Sequence, residues 1–443
     1  MGVRLYLGAL NLANFNHVHF VGIGGIGLSA IARLFLLEGK KVTGSDCSPD
    51  SPVVEELKKH GAKIYRGHQA KQVSAGTELV IYSLAIKQDN PELLTARKRD
   101  LPIISYPQAL GLISADKFTI AVAGTHGKTT TTAMLAKIFR VAKLDPTVIV
   151  GSLLAGEKTN LIVGRSQYFI VEACEYRRSF LNLSPRILVI TNIDNDHLDY
   201  YKDLTEIKRA FAELVAKVPP DGWLICCVKD ERLQPAIKAA RCRVVDYEQV
   251  KTPGLKLLVP GQHNLANARA ALAVAGEVGV SSAVAAKALE QFRGTWRRFE
   301  LIGRHRSGAL IYDDYAHHPT EILATLTGAR ELFPRRRLIV VFQPHLYTRT
   351  KLLLNDFAKS FPAADEIIVL PIYAAREKRD PTISGKVLTK ALVAAGAPAK
   401  YLNDFNLAKK YLDQKLKRGD VLLTLGAGDV FVLAKGLSYN ARQ

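Results

Sequence analysis

The chain carries 443 residues, 48% of them hydrophobic, and 61 Lys and Arg against 41 Asp and Glu give it a net charge of +20. That length exceeds one hydrophobic core and predicts about three domains, while the lack of any apolar run of about 18 residues excludes a membrane-spanning helix. The basic residues are scattered, with short clusters only at Arg297-Arg298 and Arg335-Arg336-Arg337. The charge therefore reads as a solvated surface suited to anionic small molecules, not as a nucleic-acid module.

Residues Met1 to Leu10 hold one Arg and a short apolar run and lack the layout of a secretory signal. Strand and helix patterns then alternate almost throughout, which predicts an α/β chain of parallel sheets covered by helices. The first unit opens with the strand His19-Phe20-Val21, the turn Gly22-Ile23-Gly24-Gly25-Ile26-Gly27 and a helix through Leu37. A second strand, Lys41 to Gly44, leads to Asp46. A Gly-x-Gly-x-x-Gly turn with an acid about 20 residues on is the dinucleotide fingerprint, although such a turn binds a pyrophosphate without naming its owner. NAD and a UDP-linked ligand both satisfy it. Further strands at 79–83 and 102–105 close a domain spanning 1–116. The five cysteines (Cys47, Cys174, Cys226, Cys227, Cys242) form no Cys-x-x-Cys pair, so neither zinc nor a disulfide framework is expected, and a reducing cytoplasm fits.

The second domain, 117–298, opens with an apolar strand running into Gly124-Thr125-His126-Gly127-Lys128-Thr129-Thr130. Glycine lets the backbone approach phosphate oxygens, and the head of the helix starting near Lys128 offers amides and a positive dipole end. Lys128 adds a mobile charge, and the Thr129 hydroxyl is placed to reach Mg²⁺. The spacing Gly-x-x-Gly-Lys-Thr is two residues shorter than the usual phosphate loop. Two further strands, 168–171 and 187–193, run into Glu172-Ala173-Cys174-Glu175 and Asp194-Asn195-Asp196-His197. Ligands of an open parallel sheet sit at the carboxyl ends of its strands, so Glu172 and His197 are metal-ligand candidates, with Glu175 the competing acid. The segment Gly261-Gln262-His263-Asn264 opens an Ala-rich helix in which Asn264 serves either a nucleotide base or the helix cap.

The third domain, 299–443, brings two polar clusters to one sheet edge. The strand Ala309–Tyr312 ends in Asp313-Asp314-Tyr315-Ala316-His317-His318-Pro319-Thr320, and the strand Leu338–Phe342 ends in Gln343-Pro344-His345-Leu346-Tyr347-Thr348-Arg349. Histidines, a tyrosine and an arginine together suit binding of a carboxylate and handling of an amine proton.

Gly-Thr-His-Gly-Lys-Thr-Thr, Asn-Ile-Asp-Asn-Asp-His-Leu-Asp, Gly-Gln-His-Asn-Leu-Ala-Asn and Arg-Arg-Phe-Glu resemble, in this order and over nearly the whole chain, the successive motifs of the Mur ligases. The turn at 22–27 and the segments 313–322 and 342–350 are similar to the branch that adds L-alanine to UDP-N-acetylmuramate in peptidoglycan precursor synthesis. The resemblance implies a Mur ligase architecture of three domains: a Rossmann-like N-terminal domain, a central ATPase domain of phosphate-loop type and a Rossmann-like C-terminal domain. It implies that Gly22, Gly24, Gly25 and Gly27 take the UDP-sugar pyrophosphate with His68 and Ser83 nearby. Residues 124–130 would hold Mg-ATP, with Thr129, Glu172 and His197 on Mg²⁺. Asn264 and Arg298 would contact the base or phosphates, and Asp314 the ribose side. Tyr315, His317, His345 and Arg349 would receive the amino acid, and Lys128, Glu172, His197, His317 and Arg349 would carry catalysis. It implies an acyl phosphate, attacked by the amine of L-alanine and kept from water. ATP, UDP-N-acetylmuramate and L-alanine are then the partners, with no nucleic acid, no membrane insertion and either a monomer or a homodimer.

Cys174 stands where the alanine branch carries Asp, and Leu346 where some relatives carry Arg. Glu175-Tyr176 resembles the murein peptide recycling ligase of the same family, the alternative on the same UDP-sugar. A nicotinamide dehydrogenase is the alternative from another class and explains only residues 22–46. Lys208, near where other family members carbamylate a lysine, is expected to be an exposed helix residue.

Overall fold

Residues 10–48, 51–154, 159–375 and 377–439 are described in a computed structural model of the chain; residues 1–9, on which the reading against a secretory signal rests, lie outside them. Three β-sheets organise the described residues. They fall into two compact units: Met1–Asp194, Leu204–Thr252 and Arg269–Leu289 form one, and Asn195–Asp203, Pro253–Ala268 and Glu290–Gln443 the other.

The first unit holds two sheets. One consists of β1 (His17–Val21), β2 (Lys41–Asp46), β3 (Lys63–Arg66), β4 (Leu79–Tyr82) and β5 (Ile103–Ser105), in the order β3-β2-β1-β4-β5 and parallel throughout. Chain order reverses beside β1, so the turn that follows β1 lies at the switch point where open α/β sheets bind ligands. The second sheet contains β6 (Phe118–Ala123), β7 (Thr147–Ile149), β8 (Leu161–Ile162), β9 (Tyr168–Glu172), β10 (Ile187–Ile190), β11 (Trp223–Cys226) and β12 (Arg243–Asp246). Its order is β12-β11-β10-β6-β9-β7-β8, and only β8 runs antiparallel to its neighbour. β6, which feeds the phosphate loop, therefore lies between β9 and β10. Burial on both faces explains why β10 reads as an unbroken apolar run.

The second unit is built on β13 (Glu300–Arg304), β14 (Leu310–Asp314), β15 (Leu338–Phe342), β16 (Glu366–Val369), β17 (Ala399–Tyr401) and β18 (Val421–Leu425), ordered β13-β14-β18-β15-β16-β17. Alternate residues of β15 enter two cores: Leu338, Val340 and Phe342 one side, Ile339 and Val341 the other. Register aligns Asp314, Leu425 and Phe342, so β14, β18 and β15 end level with one another.

No helix among the described residues is long and apolar enough to cross a membrane. Lys208 lies on the helix Leu204–Val215 as expected, but it is half-buried, not exposed, because its turn packs its neighbours Ile207 and Ala210 inward.

Candidate active site

In the first sheet the Gly-rich turn is held by its neighbours. Gly22 adopts φ +81° and donates its N–H to the Ser45 carbonyl at 2.8 Å. A side chain on Gly27 would sit 2.5 Å from the Tyr106 ring, so the third glycine is required by packing. Asp46 does not face outward as a ribose acid would. One of its oxygens accepts from Gly24 N and the other from Ser48 N, both at 2.9 Å. His68 is fixed through Nδ1, 2.9 Å from Ser45 Oγ and 3.0 Å from the buried Glu92. Ser83 donates its backbone N–H to Val21 beside Gly22.

The phosphate loop is clamped from the segment after β10. Gly124 has φ +130°, and a Cβ there would lie 2.0 Å from Thr191 Oγ1. Asn192 accepts from His126 N at 2.9 Å, and Thr125 Oγ1 accepts from Asp194 N at 2.8 Å. This is why β10 stops at Ile190 and does not run on to Ile193. Gly127, at φ +85°, precedes the helix Lys128–Val141. Lys128 Nζ donates to the carbonyls of Gly124 and Thr125 and to Glu175, 3.0 Å from its Oε2. Burial opposes its charge most strongly, but Glu175, Cys174 and Glu172 together outweigh burial and hold the ammonium pKa above the ordinary value. Thr129 Oγ1 donates to Glu172 at 3.2 Å, and Glu172 also accepts from Gly151 N at 2.5 Å. A hydroxyl and a carboxylate side by side form the hard oxygen donor set that Mg²⁺ prefers. Thr130 is buried in the same helix.

His197 belongs to the second unit. It has φ +55°, and its N–H reaches Asp196 Oδ1 at 2.7 Å. Asp196, His197, Leu346 and Arg349 line one concavity. Arg349 is 9% exposed; its Nη2 donates to Asp196 at 2.6 Å and its Nη1 to His345 Nδ1 at 3.1 Å. Although burial opposes its charge, the Arg349 guanidinium holds the Asp196 carboxyl far below the usual carboxylate range. His345 stacks on Tyr373, and the His317 ring lies edge-on to both His345 and Tyr315. Leu346, buried at φ +69°, opens the helix Tyr347–Leu352, a strained conformation of the kind retained at sites.

The remaining nucleotide candidates are tied into the fold. Asn264, inside the helix Gln262–Glu277, donates to the Pro260 carbonyl at 2.7 Å and accepts from Asn267. Asp314 accepts from Phe299 N and Ala316 N, both at 2.7 Å. Burial pushes its carboxyl up to about 6 despite the nearby Arg298. Arg298 lies over the Tyr315 ring with Glu321 at 3.8 Å. The sequence reading gave no role to Arg297, which the structure makes a hub. It donates to Asp313 at 2.7 Å and to the carbonyls of Gly428 and Gly426. The apolar run Val421–Leu425 followed by Gly-Ala-Gly-Asp is the signal that would have shown β18 and its loop.

A clamped glycine loop, a lysine and threonine at a helix head, and acids divided between them are the equipment of an enzyme that works on a nucleoside triphosphate. Sequence profiles narrow that class: "Mur ligase family, catalytic domain" matches residues 17–118, "Mur ligase middle domain" 122–275 and "Mur ligase, glutamate ligase domain" 297–428. The chain belongs to the Mur ligase family. It is 42% identical to a UDP-N-acetylmuramate–L-alanine ligase of Clostridium kluyveri over 94% of this chain and 96% of that protein. It is also 42% identical to one of Caldanaerobacter subterraneus, over 95% and 97%. Among solved structures, the UDP-N-acetylmuramate-alanine ligase of Thermotoga maritima matches with TM-score 0.77 and 29% identity, covering 95% of this chain and 98% of that one. A murein peptide ligase of Psychrobacter arcticus matches with TM-score 0.70 and 25% identity, covering 96% and 100%.

Proposed function

We propose that this chain joins L-alanine to the lactyl carboxylate of UDP-N-acetylmuramate, consuming ATP and releasing ADP and phosphate, as a step of peptidoglycan precursor synthesis. The observation that carries the reading is the divided acid pair at the phosphate loop, Glu172 on Thr129 and Glu175 on Lys128. A carboxylate acylates poorly because its leaving group would be an oxide, and transfer of the γ-phosphoryl group to it creates a phosphate leaving group. Both reactants are anions, so the site must offset their repulsion as they approach. Lys128 supplies positive charge at the loop, and Glu175 keeps it protonated. Thr129 and Glu172 would hold Mg²⁺, which adds charge neutralisation on the phosphate oxygens. Gly22 to Gly27 take the pyrophosphate of the sugar nucleotide, with His68 and Ser83 beside it. Arg349 and His345 suit the amino-acid carboxylate, and His317 suits its amine. Five free thiols and substrates of this kind support a reducing cytoplasm as the site of action.

The test is phosphate release from Mg-ATP with UDP-N-acetylmuramate, adding L-alanine, glycine, L-serine or the murein tripeptide in separate reactions. Release strongest with L-alanine and lost in Lys128→Ala is the expected result. Release with the tripeptide alone would move the chain to the recycling reaction, for which Glu175-Tyr176 is the sequence clue. A folded protein that releases phosphate with none of them would overturn the ligase reading.

A further inference from the structure

The second unit contains three histidines whose tautomers are dictated by groups able to play only one role. His317 Nδ1 lies 2.9 Å from the Tyr315 carbonyl and 3.2 Å from Glu321 Oε2. Both oxygens only accept, so Nδ1 carries the proton and Nε2 keeps its lone pair. His345 is the reverse: Arg349 can only donate, its Nη1 is 3.1 Å from His345 Nδ1, and the ring proton therefore resides on Nε2. His318 has both nitrogens in the fold. Its Nε2 donates to the Asn195 carbonyl at 2.9 Å, and its Nδ1 accepts from Thr320 N at the head of the helix Pro319–Leu332. Of the neighbouring pair, His318 is a helix cap and His317 presents a base.

Resting on the proposed reaction, we infer that His317 and His345 act as an opposed pair on the incoming amino acid, His317 Nε2 accepting the amine proton and His345 Nε2–H donating to the carboxylate or carbonyl oxygen. Glu321 and Asp196 are the positioning residues. Glu321 Oε2 accepts from the backbone amides of His317 and His318 as well as facing Nδ1, so one carboxylate fixes ring and backbone together. Asp196 holds Arg349, and Arg349 sets the His345 tautomer.

The proton inventory closes. The amine lone pair attacks the acyl carbon, the C–N bond forms, and the nitrogen becomes cationic and acidic. Nε2 of His317 takes that proton, the C–O bond to phosphate breaks, and phosphate leaves with the electron pair. Imidazole must be neutral when the amine arrives. Burial lowers the His317 pKa to about 4, with Arg349 acting in the same direction and Glu321 and Asp196 against it.

Long-range ¹H–¹⁵N spectra of ¹⁵N-histidine-labelled protein test the tautomers without substrate, with His317→Gln and His345→Gln as assignment variants. The expected spectrum shows His317 protonated at Nδ1 and His345 at Nε2; the opposite assignment for either overturns the inference. In turnover assays His317→Gln is expected to lower kcat by about 10²-fold or more, with KM for ATP unchanged. Glu321→Gln lowers kcat in the same way and mixes the His317 tautomers. Expected tautomers with an undiminished kcat in His317→Gln would overturn the pair while leaving the ligase reading intact. A wild-type protein inactive with L-alanine would overturn the ligase reading and the pair with it, whatever the spectra show.

Discussion

Residues of one type recur close together in sequence at the site, and the structure gives the members of each set different work. Glu172 meets a hydroxyl while Glu175 meets an ammonium. Arg297 is consumed by Asp313 and two glycine carbonyls, whereas Arg298 lies on a tyrosine face. Asp313 is buried against Arg297 and Thr424, and Asp314 against backbone amides. Chemistry alone does not separate such neighbours; their partners do. The division between the two glutamates has a kinetic consequence. Glu172→Gln removes a charge from the oxygen set suited to Mg²⁺ and is expected to raise the Mg²⁺ half-saturation of phosphate release by about tenfold. Glu175→Gln takes the carboxylate from Lys128, so it is expected to lower kcat and leave the Mg²⁺ half-saturation within about twofold. A Mg²⁺ titration at fixed ATP checks both, and equal shifts in the two variants would show that the acids are not divided.

At the scale of elements, the phosphate loop depends on a backbone that only glycine adopts at Gly124, and on Thr191 filling the space a Cβ would need. Gly276, on the exposed face of the helix Gln262–Glu277, has ordinary φ and open space around it. Gly124→Ala is therefore expected to abolish ATP binding in a titration of the folded protein. Gly276→Ala is expected to leave turnover unchanged and to raise unfolding stability by about 0.5–1 kcal/mol in urea. The same contrast explains what could be read in the sequence. The loop was legible because its glycines, lysine and threonine carry their own geometry, and β10 and β15 were legible because fully buried parallel strands are continuous apolar runs. Edge strands such as β3, β12 and β17 are short and half-exposed, so they carry no comparable pattern. Arg297 and Glu321 escaped for a different reason: their partners come from other elements or from backbone amides. Gly426, which accepts from Arg297, follows β18 and is 129 positions away in sequence.

Over the whole molecule, His317 and Asp314 of the second unit pull acid stability in opposite directions. His317 titrates near 6.5 when unfolded and about 4 when folded. Between those values the unfolded chain binds the proton and the folded chain does not, so stability falls as pH falls through the window. Asp314 is raised from 3.8 to about 6. Between those values the folded chain binds more protons, so stability rises as pH falls and is lost again as pH rises through 6. Between pH 7 and pH 5 the shift at His317 costs about 2 kcal/mol, and the shift at Asp314 returns about 1 kcal/mol. Asp314→Asn both forfeits one of two amide contacts and removes a buried charge, so the quantity to compare is the change between the two pH values. Urea unfolding of the two variants and the wild type, at pH 7 and pH 5, reads that change. His317→Gln is expected to lose less stability on acidification than the wild type, and Asp314→Asn to lose more. Parallel losses in all three proteins would mean that neither group titrates as its burial requires.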